Sequence, residues 1–312
     1  MHDGSAASLP APIFLAGPTA VGKSAVALAL AECIGGEIIS VDSMQVYRGL
    51  DLGTAKPSPS ERARVPHHLV DVVELTGSFD AAKFLRLAAL AVKDIQSRGR
   101  VPIFCGGTGL YFKAWLSGLG EAPPADPQVR AALEAVPLPD LLTELAQRDP
   151  VTYERIDRQN PRRVIRALEV VRITGQPYSA QRATWPSALD PRPSTSILGF
   201  TREPADLRRR IDVRVDAMFA GGLVEETRQL LERGLAQNPT AMQALGYRQV
   251  VEHLRGERGL AETMALVKTR TWQFARRQGT WFRRQLPVEW LSLSANTVPE
   301  AVAGDLARRF PR

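Results

Sequence analysis

Cysteine is nearly missing from this sequence: only Cys33 and Cys105 occur, and no Cys-x-x-Cys pair exists. That excludes a disulfide framework and a cysteine-based zinc site. Long apolar runs are missing too, and none reaches the ~18 residues that a membrane-spanning helix needs. The opening MHDGSAASLPAP lacks the basic start and apolar stretch of a secretory leader, so residues 1–12 read as a loose tail. Lysine is scarce, with 6 residues against 34 arginines, and aromatics make up only 6%. These gaps predict a cytoplasmic chain with no membrane association.

What is present is ordinary for a soluble globular protein: 44% hydrophobic and 23% charged residues in a length of 312. That length suggests about two domains at roughly 150 residues each. The net charge of +7 is unevenly spread, since residues 1–120 hold 11 basic against 10 acidic side chains and residues 121–312 hold 29 against 23. An arginine surplus suits a phosphate-rich partner, because guanidinium pairs phosphate bidentately. A GC-rich genome that encodes Arg for Lys explains the same surplus, and composition alone leaves both readings open.

Along the chain, strands and helices alternate. PIFLAG (12–17) predicts a buried strand, Ala25–Ile34 an apolar helix, and GEIISVD (36–42) a second strand. Residues 80–98 place Phe84, Leu87, Ala88, Ala91, Val92 and Ile95 at helical spacing, closed by Arg98-Gly99. RVPIFC (100–105) is a third strand, running into GGTGLY and another helix. EAPPADP (121–127) breaks this pattern, and short helices follow up to the Pro-rich WPSALDPRP (185–193). TSILGF (195–200) resumes the strands, 204–285 is helical, and VEWLSL (288–293) is a last strand. The expected fold is α/β: a parallel sheet core over 1–121 and 193–312, interrupted by a helical insertion domain over 122–192.

GPTAVGKS (17–24) is a complete G-x-x-x-x-G-K-S loop between a predicted strand and a predicted helix. Gly17, Pro18, Thr19, Ala20, Val21 and Gly22 would curl backbone N–H groups around phosphate oxygens at the helix N-terminus. Lys23 would neutralise the terminal phosphates and the Ser24 hydroxyl would ligate Mg²⁺. The core is therefore expected to be P-loop NTPase-like, binding a di- or triphosphate such as a nucleotide or ATP. The strand that would carry the usual ATPase acid ends instead in Cys105-Gly106-Gly107. The acid stands after the second strand, as Asp42, where strand ends face the ligand crevice. Asp42 reads as a general base for an acceptor group, or as the N-cap of a helix over Ser43–Tyr47.

With these residues on the page the chain resembles the bacterial tRNA dimethylallyltransferases, also called tRNA isopentenyltransferases. GPTAVGKS, DSMQVYRGLDLGTAKP (42–57), His67-His68 and GGTGLY (106–111) carry the resemblance. It continues through QNPRRVIRALEV (159–170), RIDVRVDAMFAGGLVEE (210–226), ALGYRQ (244–249) and ARRQGTWFRR (275–284). The resemblance implies transfer of a dimethylallyl group from dimethylallyl diphosphate to N6 of the adenosine 3′ of the anticodon, in tRNAs reading codons that start with U. The P-loop would then hold a diphosphate leaving group, with Mg²⁺ as cofactor. It implies catalytic roles for Asp42 as base and for Thr19 and Arg210 at the diphosphate. The target base must be flipped out of the anticodon stem-loop to reach such a site. For tRNA contact it marks Asp42, Ser43, Met44, Gln45, Thr108 and Arg130. It adds Gln159, Asn160, Pro161, Arg162 and Arg163, then Gln243, Ala244, Leu245, Gly246, Tyr247 and Arg248. Eukaryotic members often carry a C-terminal zinc finger that this sequence does not show, so the bacterial form is expected; a monomer is also expected.

Residues 268–284 hold Lys268, Arg270, Arg276, Arg277, Arg283 and Arg284 with no acid, interleaved with Trp272, Phe274, Trp281 and Phe282. Cations unbalanced by acids repel one another without an anionic partner, so Arg276, Arg277 and Arg283 read as tRNA-binding. The aromatics either stack on loop bases or form the buried stripe of an amphipathic helix. Adjacent His67 and His68 would point to opposite sides and so make a poor chelate pair; Cys33 reads as core packing. Two other enzymes share parts of this pattern. An isopentenyltransferase acting on free adenine nucleotides needs no tRNA-docking blocks, and a small-metabolite kinase would use Asp42 on a hydroxyl. A non-catalytic RNA-binding protein leaves the P-loop and strand-end acid without a purpose.

Overall fold

The computed structural model describes residues 9–120, 122–181 and 197–310. The Pro-rich 185–193 stretch, the start of the 195–200 strand and most of the N-terminal tail lie outside these residues. The chain divides into two compact units, Met1–Trp115 with Ala188–Arg312, and Leu116–Ser187.

The first unit opens with β1 (Ile13–Ala16), α1 (Lys23–Ile34) and β2 (Gly36–Val41), followed by the short α2 (Pro59–Arg64) and β3 (His67–His68). α2 starts at a capping box in which Ser58 and Glu61 satisfy each other's backbone N–H. Next come α3 (Ala81–Ser97), β4 (Val101–Gly106) and α4 (Gly109–Ser117). In α3 the expected periodicity holds: Phe84, Ala88, Ala91 and Ile95 are buried, and Asp80 caps the N-terminus by accepting from Lys83 N–H.

The second unit is helical: α5 (Pro127–Glu134), α6 (Leu138–Arg148), α7 (Pro150–Arg155), α8 (Pro161–Thr174) and α9 (Tyr178–Gln181). Proline in the first turn of α5 to α8 fits a position whose N–H has no helical partner. Leu133, Leu141, Leu145, Val164 and Leu168 form a core of its own. Beside that core Glu169 is fully buried and accepts from Arg130, Arg166 and the Asp126 N–H.

The first unit then continues as β5 (Ile197–Arg202), α10 (Pro204–Ala220), α11 (Leu223–Glu232), α12 (Tyr247–Leu254), α13 (Leu260–Gln285), β6 (Val288–Leu293) and α14 (Pro299–Arg309). Its six strands form one parallel sheet in the order β3-β2-β4-β1-β5-β6. β1, β2 and β4 are almost wholly buried, as apolar runs in a sheet covered on both faces must be. α1 is buried through Val26–Ala31 because it packs between the sheet and α14. Cys33, expected in that core, is exposed: it falls on the one side of α1 that faces water. Register sets up the site. Ala16, Val41 and Gly106 sit side by side, so Gly17, Asp42 and Gly107 leave the sheet at one edge.

Candidate functional site

At that edge the residues after β1 form the phosphate loop. Gly17 and Gly22 have φ of 150° and 109°, conformations that a side chain resists, and a Cβ on Gly17 would stand 2.9 Å from the Phe200 carbonyl. Gly22 begins α1 with no side-chain cap, which leaves the N–H groups of the first turn for an anion. Two of the loop's carbonyls are held by arginines. Arg202 Nε donates to Val21 O at 2.6 Å, and Arg210 Nε donates to Ala20 O at 2.9 Å. Arg202 is itself anchored by Asp206 at 2.7 Å. Arg214 reaches the Thr19 hydroxyl at 3.4 Å, and Gln278 accepts from the Thr19 N–H at 2.9 Å.

Lys23 is half-buried at the cavity, and desolvation of its ammonium pushes its pKa down; Cys105 opposes, Arg214 pushes the same way and Asp42 opposes. Arg214 is also pushed down, by burial and then by Arg210. Arg210, Arg214 and Lys23 thus form a cationic pocket, and none of the three makes a salt bridge among the described residues. Cys105, buried beside them, has its thiol pushed up to about 11 by burial, so it stays protonated and inert near neutral pH.

Asp42 caps a turn through one of its two carboxylate oxygens. Oδ1 accepts from the Met44 N–H at 2.8 Å and the Gln45 N–H at 3.2 Å. No hydrogen bond among the described residues reaches Oδ2. The expected helix over Ser43–Tyr47 does not form; the segment is a turn closed by Tyr47 N–H on Met44 O at 3.2 Å. Thr108 ties this turn to β4 by accepting from the Ser43 N–H at 3.1 Å and donating its own N–H to Val41 O. The Gln45 amide accepts from the Ser40 hydroxyl and donates to the Thr54 and Ala55 carbonyls, so it holds the 53–55 loop.

A cavity of 640 Å³ joins these groups. Thr19, Lys23, Ser24, Asp42, Ser43, Met44, Gln45, Thr108 and Arg210 line it, all named from sequence. So do Gln243, Ala244, Leu245 and Arg277. Phe274, one of the aromatics expected either to stack on bases or to be buried, lines it as well, as do Arg214 and Gln278, which sequence reasoning did not single out. Arg214 follows Arg210 by one helical turn, so the RIDVR spacing already put both on one face. His67 also lines the cavity, and its Nδ1 lies 2.8 Å from Val65 O. His68 turns the other way, to the buried Glu37 at 2.7 Å, as expected of neighbours in a strand.

Other expected RNA-contacting residues have different surroundings. Tyr247 is fully buried, so its side chain offers no surface to RNA; the contact expected of it is corrected. Its hydroxyl donates to Glu226 at 2.6 Å and accepts from the Gly53 N–H at 3.0 Å, bracing the 51–56 loop under the cavity. Tyr247→Phe is expected to lower unfolding free energy by about 1–3 kcal/mol, with stem-loop affinity nearly unchanged. Lost affinity at full stability in a melt and titration would return the hydroxyl to RNA. Gly246 starts α12 beside it, and Arg248 is exposed and paired with Glu252.

In the second unit, Gln159, Pro161, Arg162 and Arg163 are exposed around the N-terminus of α8, with Asn160 at its cap. Arg130 spends one amino group on Glu169, and its Nε is buried without a partner. On α13, Arg276 and Arg277 are exposed with no carboxylate within reach among the described residues; Lys268 pairs with Asp216. Arg283 lies over the Trp290 ring at 5.1 Å. The aromatics divide: Phe282 is core, Trp281 packs on Gly109, and Phe274 is exposed at the cavity.

Comparison with known proteins agrees with this geometry. The sequence model of the family described as IPP transferase matches residues 45–285. A tRNA dimethylallyltransferase of Geobacter metallireducens is 47% identical, over 89% of this chain and 91% of its own length. One from Anaeromyxobacter dehalogenans is 45% identical, over 95% and 99%. Among solved structures, the tRNA isopentenylpyrophosphate transferase of Bacillus halodurans superposes with a TM-score of 0.69 at 36% identity, covering 97% of both chains. A eukaryotic dimethylallyltransferase described as acting on tRNA gives 0.75 at 26% identity, over 97% of this chain and 80% of that one. With a family match across most of its length, and with the phosphate loop and strand-end acid opening onto one cavity, the chain belongs to the IPP transferase family.

Proposed function

We propose that this chain transfers the dimethylallyl group of dimethylallyl diphosphate to N6 of the adenosine 3′ of the anticodon, in tRNAs that read codons starting with U. The observation that carries the reading is one cavity lined by the phosphate-loop residues Thr19, Ala20 and Gly22 together with Lys23, Arg210, Arg214 and Asp42, whose Oδ2 takes no hydrogen bond among the described residues. Breaking the allylic C–O bond gathers negative charge on the departing diphosphate. The α1 N-terminus, Lys23 and the two arginines are already in place to receive it, which is the arrangement that lowers such barriers most. As the adenine amine bonds to the allyl carbon, Asp42 Oδ2 takes the N6 proton.

The Ser24 hydroxyl lines the same cavity, and no cluster of three His, Cys, Asp or Glu side chains among the described residues could hold a metal alone. That donor set fits Mg²⁺ held by Ser24, diphosphate oxygens and water, an ion that would supply further charge neutralisation on the leaving group. The exposed arginines of α13 and the N-terminus of α8 would take the stem-loop backbone. All the groups used come from one chain, so the reading needs only a monomer, and a tRNA substrate implies the cytoplasm. No helix among the described residues is long and apolar enough to cross a membrane.

The test is transfer of label. The chain, Mg²⁺ and allyl-labelled dimethylallyl diphosphate are expected to label an anticodon stem-loop with consecutive adenosines after the anticodon, leaving AMP unlabelled. Label on AMP alone would assign the free-nucleotide reaction. Phosphate transfer from ATP with indifference to the allylic donor would assign a kinase.

A further inference from the structure

α13 carries its buried residues at Thr263, Val267, Thr271, Ala275, Gln278, Gly279 and Phe282, one stripe along one face. Six of these seven are apolar or small; the other is a primary amide. Gln278 is 9% exposed, and both ends of its amide are engaged. Oε1 accepts from the Thr19 N–H at 2.9 Å and Nε2 donates to the Gly107 carbonyl at 2.9 Å. An N–H can only donate and a carbonyl can only accept, so a group that spans both must be acceptor at one end and donor at the other. The approach is close enough that a Cβ on Gly107 would stand 2.3 Å from Nε2.

The two backbones that Gln278 joins belong to the two halves of the reaction. Thr19 is in the loop that holds the diphosphate. Gly107 precedes Thr108, which holds the Ser43 N–H and hence the turn bearing Asp42. One helical turn back, Phe274 lines the same cavity, as does the neighbouring Arg277. We infer that Gln278 is a positioning residue that fixes the donor loop against the acceptor turn, so that the allyl carbon and the adenine amine meet in register. The inference rests on the reaction proposed above.

In a correctly aligned site the C–O bond to diphosphate breaks with its electron pair on oxygen. The amine lone pair forms the C–N bond, and the N6 proton passes to Asp42. Where the two halves are out of register, water supplies the oxygen instead: a C–O bond forms, a proton goes to solvent, and dimethylallyl alcohol results. Misplacement by about 1 Å is enough to lower rate by roughly 10²-fold.

The experiment separates prenylated stem-loop from dimethylallyl alcohol after turnover with allyl-labelled donor, Mg²⁺ and RNA. Gln278→Met removes both hydrogen bonds at similar volume; Gln278→Glu keeps the acceptor and removes the donor. Both variants are expected to lower kcat by roughly 10–100-fold per folded molecule, with donor KM changed by less than about threefold. The share of alcohol should rise in both. A wild-type product ratio and a wild-type kcat per folded molecule, with only a lowered Tm, would overturn the proposal and leave Gln278 as core filling. A wild-type chain that labels no RNA overturns the reaction itself, a different and separately visible failure.

Discussion

Asp42→Asn is expected to lower turnover by roughly 10²–10⁴-fold while leaving stem-loop affinity close to wild type. Asparagine is the informative replacement because it keeps an oxygen where Oδ1 now accepts from Met44 and Gln45. The turn therefore survives, and with it the surface that surrounds the acceptor base. What disappears is the basic atom at the other end of the carboxylate, replaced by an amide that has no affinity for a proton. Alanine would confuse the result, since it also frees two backbone N–H groups. Single-turnover rates and a stem-loop titration on the same preparation separate the two effects. Turnover within about twofold of wild type would reduce Asp42 to a turn cap.

Lys23→Met is the second large effect, and it should act in opposite directions on catalysis and stability. Removing the ammonium takes a full charge from the position where the leaving group gathers its own. A loss of roughly 10²–10³-fold in kcat/KM for the donor is expected, the size seen when one preorganised stabilising group is deleted. The empty protein, in contrast, should gain stability, because this ammonium is desolvated and makes no salt bridge among the described residues. The folded-state pKa of Lys23 is below its unfolded value, so the unfolded chain keeps the proton to higher pH. This group's contribution to stability therefore rises with pH from the folded pKa up to the ordinary lysine range. Melts across that interval should rise in wild type and be flatter in Lys23→Met. Donor affinity should fall across the same interval, since diphosphate prefers the charged form. Unchanged donor kinetics in Lys23→Met would remove the ammonium from the leaving-group site.

Much of this was readable before any coordinates. The sheet followed from apolar runs, and the 288–293 strand matches its expected bounds. The phosphate loop was explicit because its chemistry demands glycine, lysine and serine at fixed spacing. Harder to read were residues whose task depends on distant partners. Tyr247 lay inside a block marked for RNA, yet its hydroxyl is directed to Glu226 and Gly53. Sequence spacing does not say which way a ring turns. Arg202 looks like any polar end of a strand until Val21 O is found 2.6 Å away. Gln278 did leave a trace, a polar residue on a buried stripe, but its two partners lie 259 and 171 positions away. α2 and α14 each begin on a proline in the first turn, which equally marks a loop, and neither was read from sequence.

The arginines bonded to Val21 O and Ala20 O have a consequence for the time course of turnover. A carbonyl that accepts from a guanidinium must give up that bond before its peptide plane can turn toward the cavity, so flips at Ala20 and Val21 are disfavoured. The backbone around an outgoing diphosphate is then the same as that around an incoming one. Emptying and refilling the site becomes a matter of ion diffusion and electrostatic attraction, with no slow backbone transition between cycles. Presteady-state kinetics should accordingly be free of a conformational lag after the first turnover.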